Sequence, residues 1–286
     1  MTKYLWLLAK AGTLWVATLL AQIAGGIVTS GWTPPPASLD SLKSGPLDTV
    51  QALGVVTGLT AMALVLVSTH IRLPLLKKSL TLFAVLYGIG TLLSAIEAAY
   101  FGEFLRFTQQ MVLSMSASNA LMALVASVTA AVLWRSAKTR APSAIGGLAW
   151  KVPIVVTLYV FIYFAAGYFI AWQSPAVREF YAQGLDISVP SLLLLQVGRG
   201  FVWAGLVLLC VRALLGSTLS RSIVVGTACA VFMAAPLLYP SAVMPWSVRW
   251  VHLVELAVSN FLFGVLASQI LLSGKTWVAT TANPRP

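Results

Sequence analysis

The stretch MPWSVRWVHLVELAVSNFLFGVLAS, residues 244–268, decides the fold. It is long and apolar enough to cross a bilayer, which takes about 20 residues rising ~1.5 Å each. Its first half nevertheless carries Arg249, His252 and Glu255, and its middle carries Ser259 and Asn260. Such groups are expensive in hydrocarbon unless they face protein or water. At ~100° per residue, His252, Glu255 and Ser259 fall on one helical face, with Asn260 at its edge. Leu253, Val254, Leu256, Phe261 and Leu262 cover much of the remainder. The pattern predicts a transmembrane helix with one polar stripe turned inward.

The rest of the chain agrees with that reading. Of its 286 residues, 59% are hydrophobic and 9% are charged, against about 25% charged in soluble domains. This excludes an ordinary soluble protein. The net charge of +11 does not imply nucleic acid as a partner. The basic residues lie in short clusters between apolar runs, as membrane-flanking charge does. Cys210 and Cys229 both fall inside apolar runs and read as small core residues rather than a disulfide framework.

Apolar runs near the length of a span occur at roughly 5–29, 48–69, 79–101, 110–134, 152–173, 190–214, 222–240 and 250–272. They predict an all-α polytopic bundle of about eight helices in the lipid bilayer. The first run could pass for a signal peptide, but it reads as an uncleaved span because a later span resembles it. With the N-terminus inside, the inner side holds Lys3, Lys10, Arg72, Lys77, Lys78, Arg135, Lys138, Arg140, Lys151, Arg212, Arg221, Lys275 and Arg285, and no acid. The outer side mixes Lys43, Arg106, Arg178 and Arg249 with Asp40, Asp48, Glu103, Glu179 and Asp186. The asymmetry predicts that both termini are cytoplasmic. In a bacterial cell this would be the inner membrane.

The chain also repeats itself. Ser118-Asn119-Ala120-Leu121 followed by Ala126-Ser127 matches Ser259-Asn260-Phe261-Leu262 followed by Ala267-Ser268, at an offset of 141 residues. Ala24-Gly25-Gly26 matches Ala165-Ala166-Gly167 at the same offset. We therefore expect two parallel four-helix halves, 1–140 and 141–286, related by an axis along the membrane normal. Repeats of this kind occur in transporters, with sites at the repeat interface.

Between the spans, Thr33-Pro34-Pro35-Pro36 should be stiff and extended. Ser174-Pro175 and Gly184 bracket a short surface helix over 175–183. Pro236 and Pro240 should kink or end the seventh span. Gly54 and Gly58 form a GxxxG pair, and Ser116, Asn119 or Ala120, Ala123, Ser127 and Ala130 form a small-residue stripe in the fourth span. Both suggest close helix approach.

The candidate site residues are the embedded polar groups. Glu97 and Glu255 should lie ~6–7 Å below the outer span ends, at ~1.5 Å per residue. Arg199, Asn119 and Asn260 lie near the midplane, and His252 and Gln196 near the outer surface. The inner half is almost purely apolar. Arg199 needs a carboxylate partner, and the sequence leaves Glu97 and Glu255 both open. His252-x-x-Glu255, with Glu97 as a third group, could ligate zinc, but no HExxH motif is present. The only histidines, His70 and His252, fall at opposite membrane faces, against a shared haem. No lysine lies deep in a span for a retinal Schiff base. No cofactor is therefore expected.

Met244-Pro245, Val248-Arg249, His252, Glu255 and Ser259-Asn260-Phe261, with Gln196-x-x-Arg199-Gly200-x-x-Trp203 upstream, resemble a family of uncharacterised bacterial multi-pass membrane proteins. The resemblance covers spans five to eight best. It implies a bacterial membrane protein and lends no role to any residue. Three readings stand: a transporter or channel-like protein taking a small solute, ion or lipid from the outer side; a membrane-embedded enzyme at the outer leaflet; and a structural subunit with a buried ion pair. The sequence leaves the oligomeric state open.

Overall fold

The computed structural model describes residues 2–32, 45–105, 107–182 and 188–274. The proline loop after Trp32, Gly184, Lys275 and Arg285 lie outside the described residues. Eight helices are long and apolar enough to span a membrane. They are α1 (Tyr4–Trp32), α2 (Thr49–Thr69), α3 (Leu75–Tyr100), α4 (Gln109–Leu133), α5 (Leu148–Gln173), α6 (Val189–Ala213), α7 (Thr218–Leu238) and α8 (Trp246–Leu272). The surface helix Pro175–Tyr181 joins α5 to α6, with Ser174 at its N-cap position and proline in its first turn. Among the described residues the only extended pairing is a single antiparallel bridge, Ile71 with Leu214.

Local chemistry sets the helix ends. Asp48 and Gln51 form a capping box at the start of α2, and Thr108, Ser188 and Ser217 accept from backbone N–H groups at the starts of α4, α6 and α7. Near its end α7 tightens to a 3-10 turn over Ala235–Leu238, because Pro236 cannot donate to the α-helical ladder.

Two helices start earlier than their apolar runs, and this corrects the reading of two lysines as loop charges. Lys78 and Lys151 sit inside the first turns of α3 and α5 and are buried. Each fastens the end of a neighbouring helix. Lys78 Nζ donates to Ser68 O at 2.8 Å, Ile71 O at 3.2 Å and Trp134 O at 2.6 Å, joining the ends of α2 and α4. Lys151 Nζ donates to Leu271 O at 2.8 Å and Ser273 O at 2.6 Å, at the end of α8. Lys10 on α1 donates to Leu133 O at 2.7 Å, at the end of α4. The last carbonyls of a helix have no partner within it, so an ammonium group satisfies them and is itself satisfied.

The packing is ordered. α1 lies against α2 and α4, and α3 against α4; α5 lies against α6 and α8, and α7 against α8. Across the middle α2 meets α7, and α3 meets α6. The polar stripe of α8 does face inward, since Glu255, Ser259 and Asn260 are all buried. Arg249 at its start is buried too, and donates to Met244 O, Leu237 O and Tyr239 O.

Close helix approach falls elsewhere than the GxxxG pair implied. A Cβ on Gly54 would meet nothing within 4 Å, and one on Gly58 would meet only the Trp15 indole, at 3.5 Å; that indole donates to Gly54 O at 3.1 Å. Two tight crossings stand out: α1 with α4, where a Cβ on Gly25 would come within 2.7 Å of Ser118 O, and α7 with α8, where one on Gly264 would come within 2.8 Å of Gly226 Cα. Backbone cannot swing aside as a side-chain tip can. Gly264→Ala is expected to force the two helices apart and lose about 1–3 kcal/mol, read as a lower thermal midpoint in detergent. Gly54→Ala is expected to be neutral in the same assay.

Candidate functional site

The embedded polar groups gather at the end of the bundle opposite the lysines. Their placement begins with α3. Over Gly88–Leu92 this helix widens to one π turn, an irregularity that shifts every later side chain around the axis. The glycines within the turn let α6 and α7 pack closely against it. A Cβ on Gly88 would fall within 2.5 Å of Leu206 on α6, and one on Gly90 within 3.3 Å of Phe232 O on α7. Beyond the turn, Glu97 faces α6.

There Glu97 Oε1 pairs with Arg199 Nη1 at 2.9 Å. Of the two carboxylates left open by the sequence, Glu97 is the partner. The Arg199 side chain is 2% exposed, whereas that of Glu97 is 29% exposed, so the pair is sealed on the arginine side and open on the carboxylate side. One turn before Arg199, Gln196 is fully buried, deeper in protein than its place in the chain suggested. Its Oε1 accepts from Arg199 Nη1 at 2.9 Å and from the Tyr159 hydroxyl at 2.9 Å. Tyr159 on α5 packs edge-on to Phe263 of α8 and tilted to Trp203 of α6, closing the floor beneath the pair.

The donors outnumber the acceptors. Arg199 Nε, Gln196 Nε2 and Trp203 Nε1 are all buried with no acceptor among the described residues. The Trp203 indole lies near the Tyr159 hydroxyl without hydrogen-bond geometry. Residues 196, 199 and 203 share one face of α6, so these N–H groups line one wall. A buried donor left unpaired costs about 1–3 kcal/mol, and such groups in a native fold call for an explanation.

Glu255 belongs to a second cluster. Its Oε2 lies 2.7 Å from His252 Nδ1, one turn away on α8. His252 Nε2 lies 3.2 Å from the hydroxyl of Tyr181 on the surface helix. Burial, then the nearby charges of Glu97 and Glu255, raise the Tyr181 phenol well above its ordinary value, so it keeps its proton. The consistent assignment is that Tyr181 O–H donates to Nε2 while Nδ1–H donates to Glu255. The two clusters are neighbours: Tyr163 on α5 lies in electrostatic range of Glu97, Arg199 and Glu255. Phe104, after α3, stacks on Tyr181, and Tyr100 and Ser191 hydrogen-bond between the ends of α3 and α6.

Not every candidate joins the site. Asn260 is buried but donates to Leu256 O of its own helix at 2.8 Å. Asn119 is half-buried on α4. Neither hydrogen-bonds a charged group among the described residues. Glu97 does not combine with His252 and Glu255 into a ligand set; no three His, Cys, Asp or Glu side chains among the described residues are grouped closely enough to hold a metal. Sequence reasoning missed Tyr159, Tyr163, Tyr181 and Trp203. The i, i+4 spacing of Tyr159 and Tyr163 was the signal available, but aromatic residues in an apolar run read as core or lipid-facing.

The fold and this site define a multi-pass α-helical membrane protein with its embedded charges collected toward one face. No protein-family model matches the chain, and no match appears among curated proteins or solved structures.

Proposed function

We propose that this protein is a transporter that takes up a small anion together with a proton, through the pocket formed by Arg199, Glu97 and Gln196. The single observation that carries the reading is the pair of buried donors without acceptors among the described residues, Arg199 Nε and Gln196 Nε2, beside an ion pair whose carboxylate is partly exposed. A purely structural pair would be expected to satisfy its own donors. A carboxylate or phosphate-like anion supplies the missing acceptors.

Charge balance then couples the anion to a proton. Arg199 and Glu97 together are neutral. If Glu97 takes a proton, Nη1 is released and the arginine is free to hold an anion. The pocket is neutral again with both aboard. Every loaded state thus avoids the large penalty for net charge in a low-dielectric site. Tyr181, His252 and Glu255 form a hydrogen-bonded chain at the surface helix, within electrostatic range of Glu97, and serve as the proton's entry.

The site sits where α3 crosses α6, which is the boundary between the two halves expected from the repeat. What supports the repeat is that each neighbouring helix pair of the first half has a counterpart four spans on, and that α2–α7 corresponds to α6–α3. Lys10 and Lys151 stand at the same 141-residue offset, and each caps the last helix of its own half. The lysine- and arginine-rich end is cytoplasmic by charge bias, so the pocket opens outward in a bacterial inner membrane.

The test is uptake into proteoliposomes of a panel of labelled mono- and dicarboxylates and inorganic phosphate, with and without an inward proton gradient. At least one anion is expected to accumulate in response to the gradient. Arg199→Gln should abolish uptake, and Glu97→Gln should leave it insensitive to the gradient. Uptake that survives Arg199→Gln, or no uptake of any anion in the panel, overturns the proposal.

A further inference from the structure

The basic end of the bundle carries two kinds of cation. Lys10, Lys78 and Lys151 each donate to backbone carbonyls at helix ends. The arginines there are arranged differently. Arg221 Nη2 donates to Ser143 Oγ at 3.1 Å, and Arg212 Nε donates to Ser143 O at 3.1 Å. Ser143 N in turn donates to Arg212 O at 2.8 Å, so the loop between α4 and α5 is pinned beside both guanidinium groups. Arg140, three residues earlier, is close enough for its charge to bear on Arg221. Arg221 Nε is buried with no acceptor among the described residues.

Among the described residues no carboxylate pairs with these charges. Segments 70–80, 134–151 and 212–222 contain no Asp or Glu. The Arg199–Glu97 ion pair and the His252–Glu255 hydrogen bond lie at the other end. Arg221 also occupies the first turn of α7, where the helix dipole disfavours a cation and favours an anion. Three like charges, a helix N-terminus and an unpaired buried N–H thus converge on one place. Arg140 and Arg212 are exposed, which leaves it open to the membrane interface.

We propose that Arg140, Arg212, Arg221 and Ser143 form a phosphate-binding site, separate from the transport pocket. Guanidinium groups offer planar pairs of donors matched to phosphate oxygens, and a helix N-terminus adds to them. At this depth the phosphate is that of an anionic phospholipid headgroup or a free phosphate. Either would fasten the α4–α5 loop to the start of α7.

The experiment uses full-length protein in phosphatidylcholine bicelles, with phosphatidylglycerol or inorganic phosphate titrated in separate arms. Thermal midpoint and bound lipid by native mass spectrometry are the readouts. Phosphatidylglycerol is expected to raise the midpoint saturably, and Arg221→Gln and Arg212→Gln are each expected to weaken binding about tenfold or more. Lys77→Gln, which removes an exposed charge at the same end, should leave binding unchanged. If inorganic phosphate alone reproduces the saturable effect and phosphatidylglycerol adds nothing, the site stands with free phosphate as its ligand. The proposal is overturned if neither probe distinguishes wild type from the two arginine variants, or if Lys77→Gln weakens binding equally, which would reduce the effect to general surface charge. Bound lipid is counted on folded protein, so a destabilised Arg221→Gln is still scored, and Arg212→Gln, whose side chain is exposed, decides if it does not fold.

Discussion

Arg199→Ala is expected to be among the most destabilising single substitutions in this chain. It removes a guanidinium that is 2% exposed and holds Glu97 and Gln196 together. Breaking one side of a buried ion pair leaves the other charge uncompensated, at a cost of about 3–5 kcal/mol. Because Glu97 is 29% exposed and recovers some solvation, the lower end of that range, ~3 kcal/mol, is expected. Glu97→Ala should cost a comparable amount, since it leaves Arg199 sealed without a carboxylate. The double variant should lose clearly less than the two singles together. The parallel cycle of Arg199 with Glu255 should be far closer to additive, because Glu255 is held by His252 instead. Thermal unfolding in detergent measures both cycles. Strong coupling to Glu255 with none to Glu97 would reverse the partner assignment.

Lys78→Met is expected to cost about 3 kcal/mol, although Lys78 lies far from the pocket. Its ammonium donates to three carbonyls from the ends of two helices. Hydrogen bonds from a charged donor contribute ~1.5–3 kcal/mol each, and acceptors left unpaired in a buried place add their own penalty. Methionine keeps the volume and removes only the charge and the donors. Lys77→Met is the control, since Lys77 is exposed and surface substitutions usually stay within about 0.5 kcal/mol. Equal midpoints for the two variants would refute the capping role.

These two lysines show where sequence reading reached its limit. Spans are legible because hydrocarbon demands long apolar runs, and the inward stripe of α8 is legible because His252, Glu255 and Ser259 repeat at helical spacing. Lys78 and Lys151 stood one residue outside those runs and read as loop charges. Their role depends on which helix ends come to rest beside them. The choice between Glu97 and Glu255 was likewise hidden. It turns on the rotation of α3, which the π turn at Gly88–Leu92 sets, and no periodicity analysis that assumes a regular helix can anticipate it. Tyr159 and Trp203 were invisible for another reason: an aromatic ring in an apolar run looks the same whether it meets lipid or packs beneath a buried ion pair. The Gly54/Gly58 pair misled because only the Trp15 indole approaches it, at Gly58, whereas the close backbone crossings are Gly226 with Gly264 and Gly25 with Ser118.

The central claim is that the Arg199–Glu97 pocket is reached from the face opposite the basic end. Cysteine accessibility at position 97 tests it most directly. The native Cys210 and Cys229 are buried in the core and give little background. With a membrane-impermeant thiol reagent, Glu97→Cys is expected to react in intact cells and to be protected in sealed inverted vesicles. Ser136→Cys, on the loop after α4, should show the opposite pattern. Modification of Glu97→Cys only from the inverted side, or from neither side while the denatured protein reacts fully, would contradict the account.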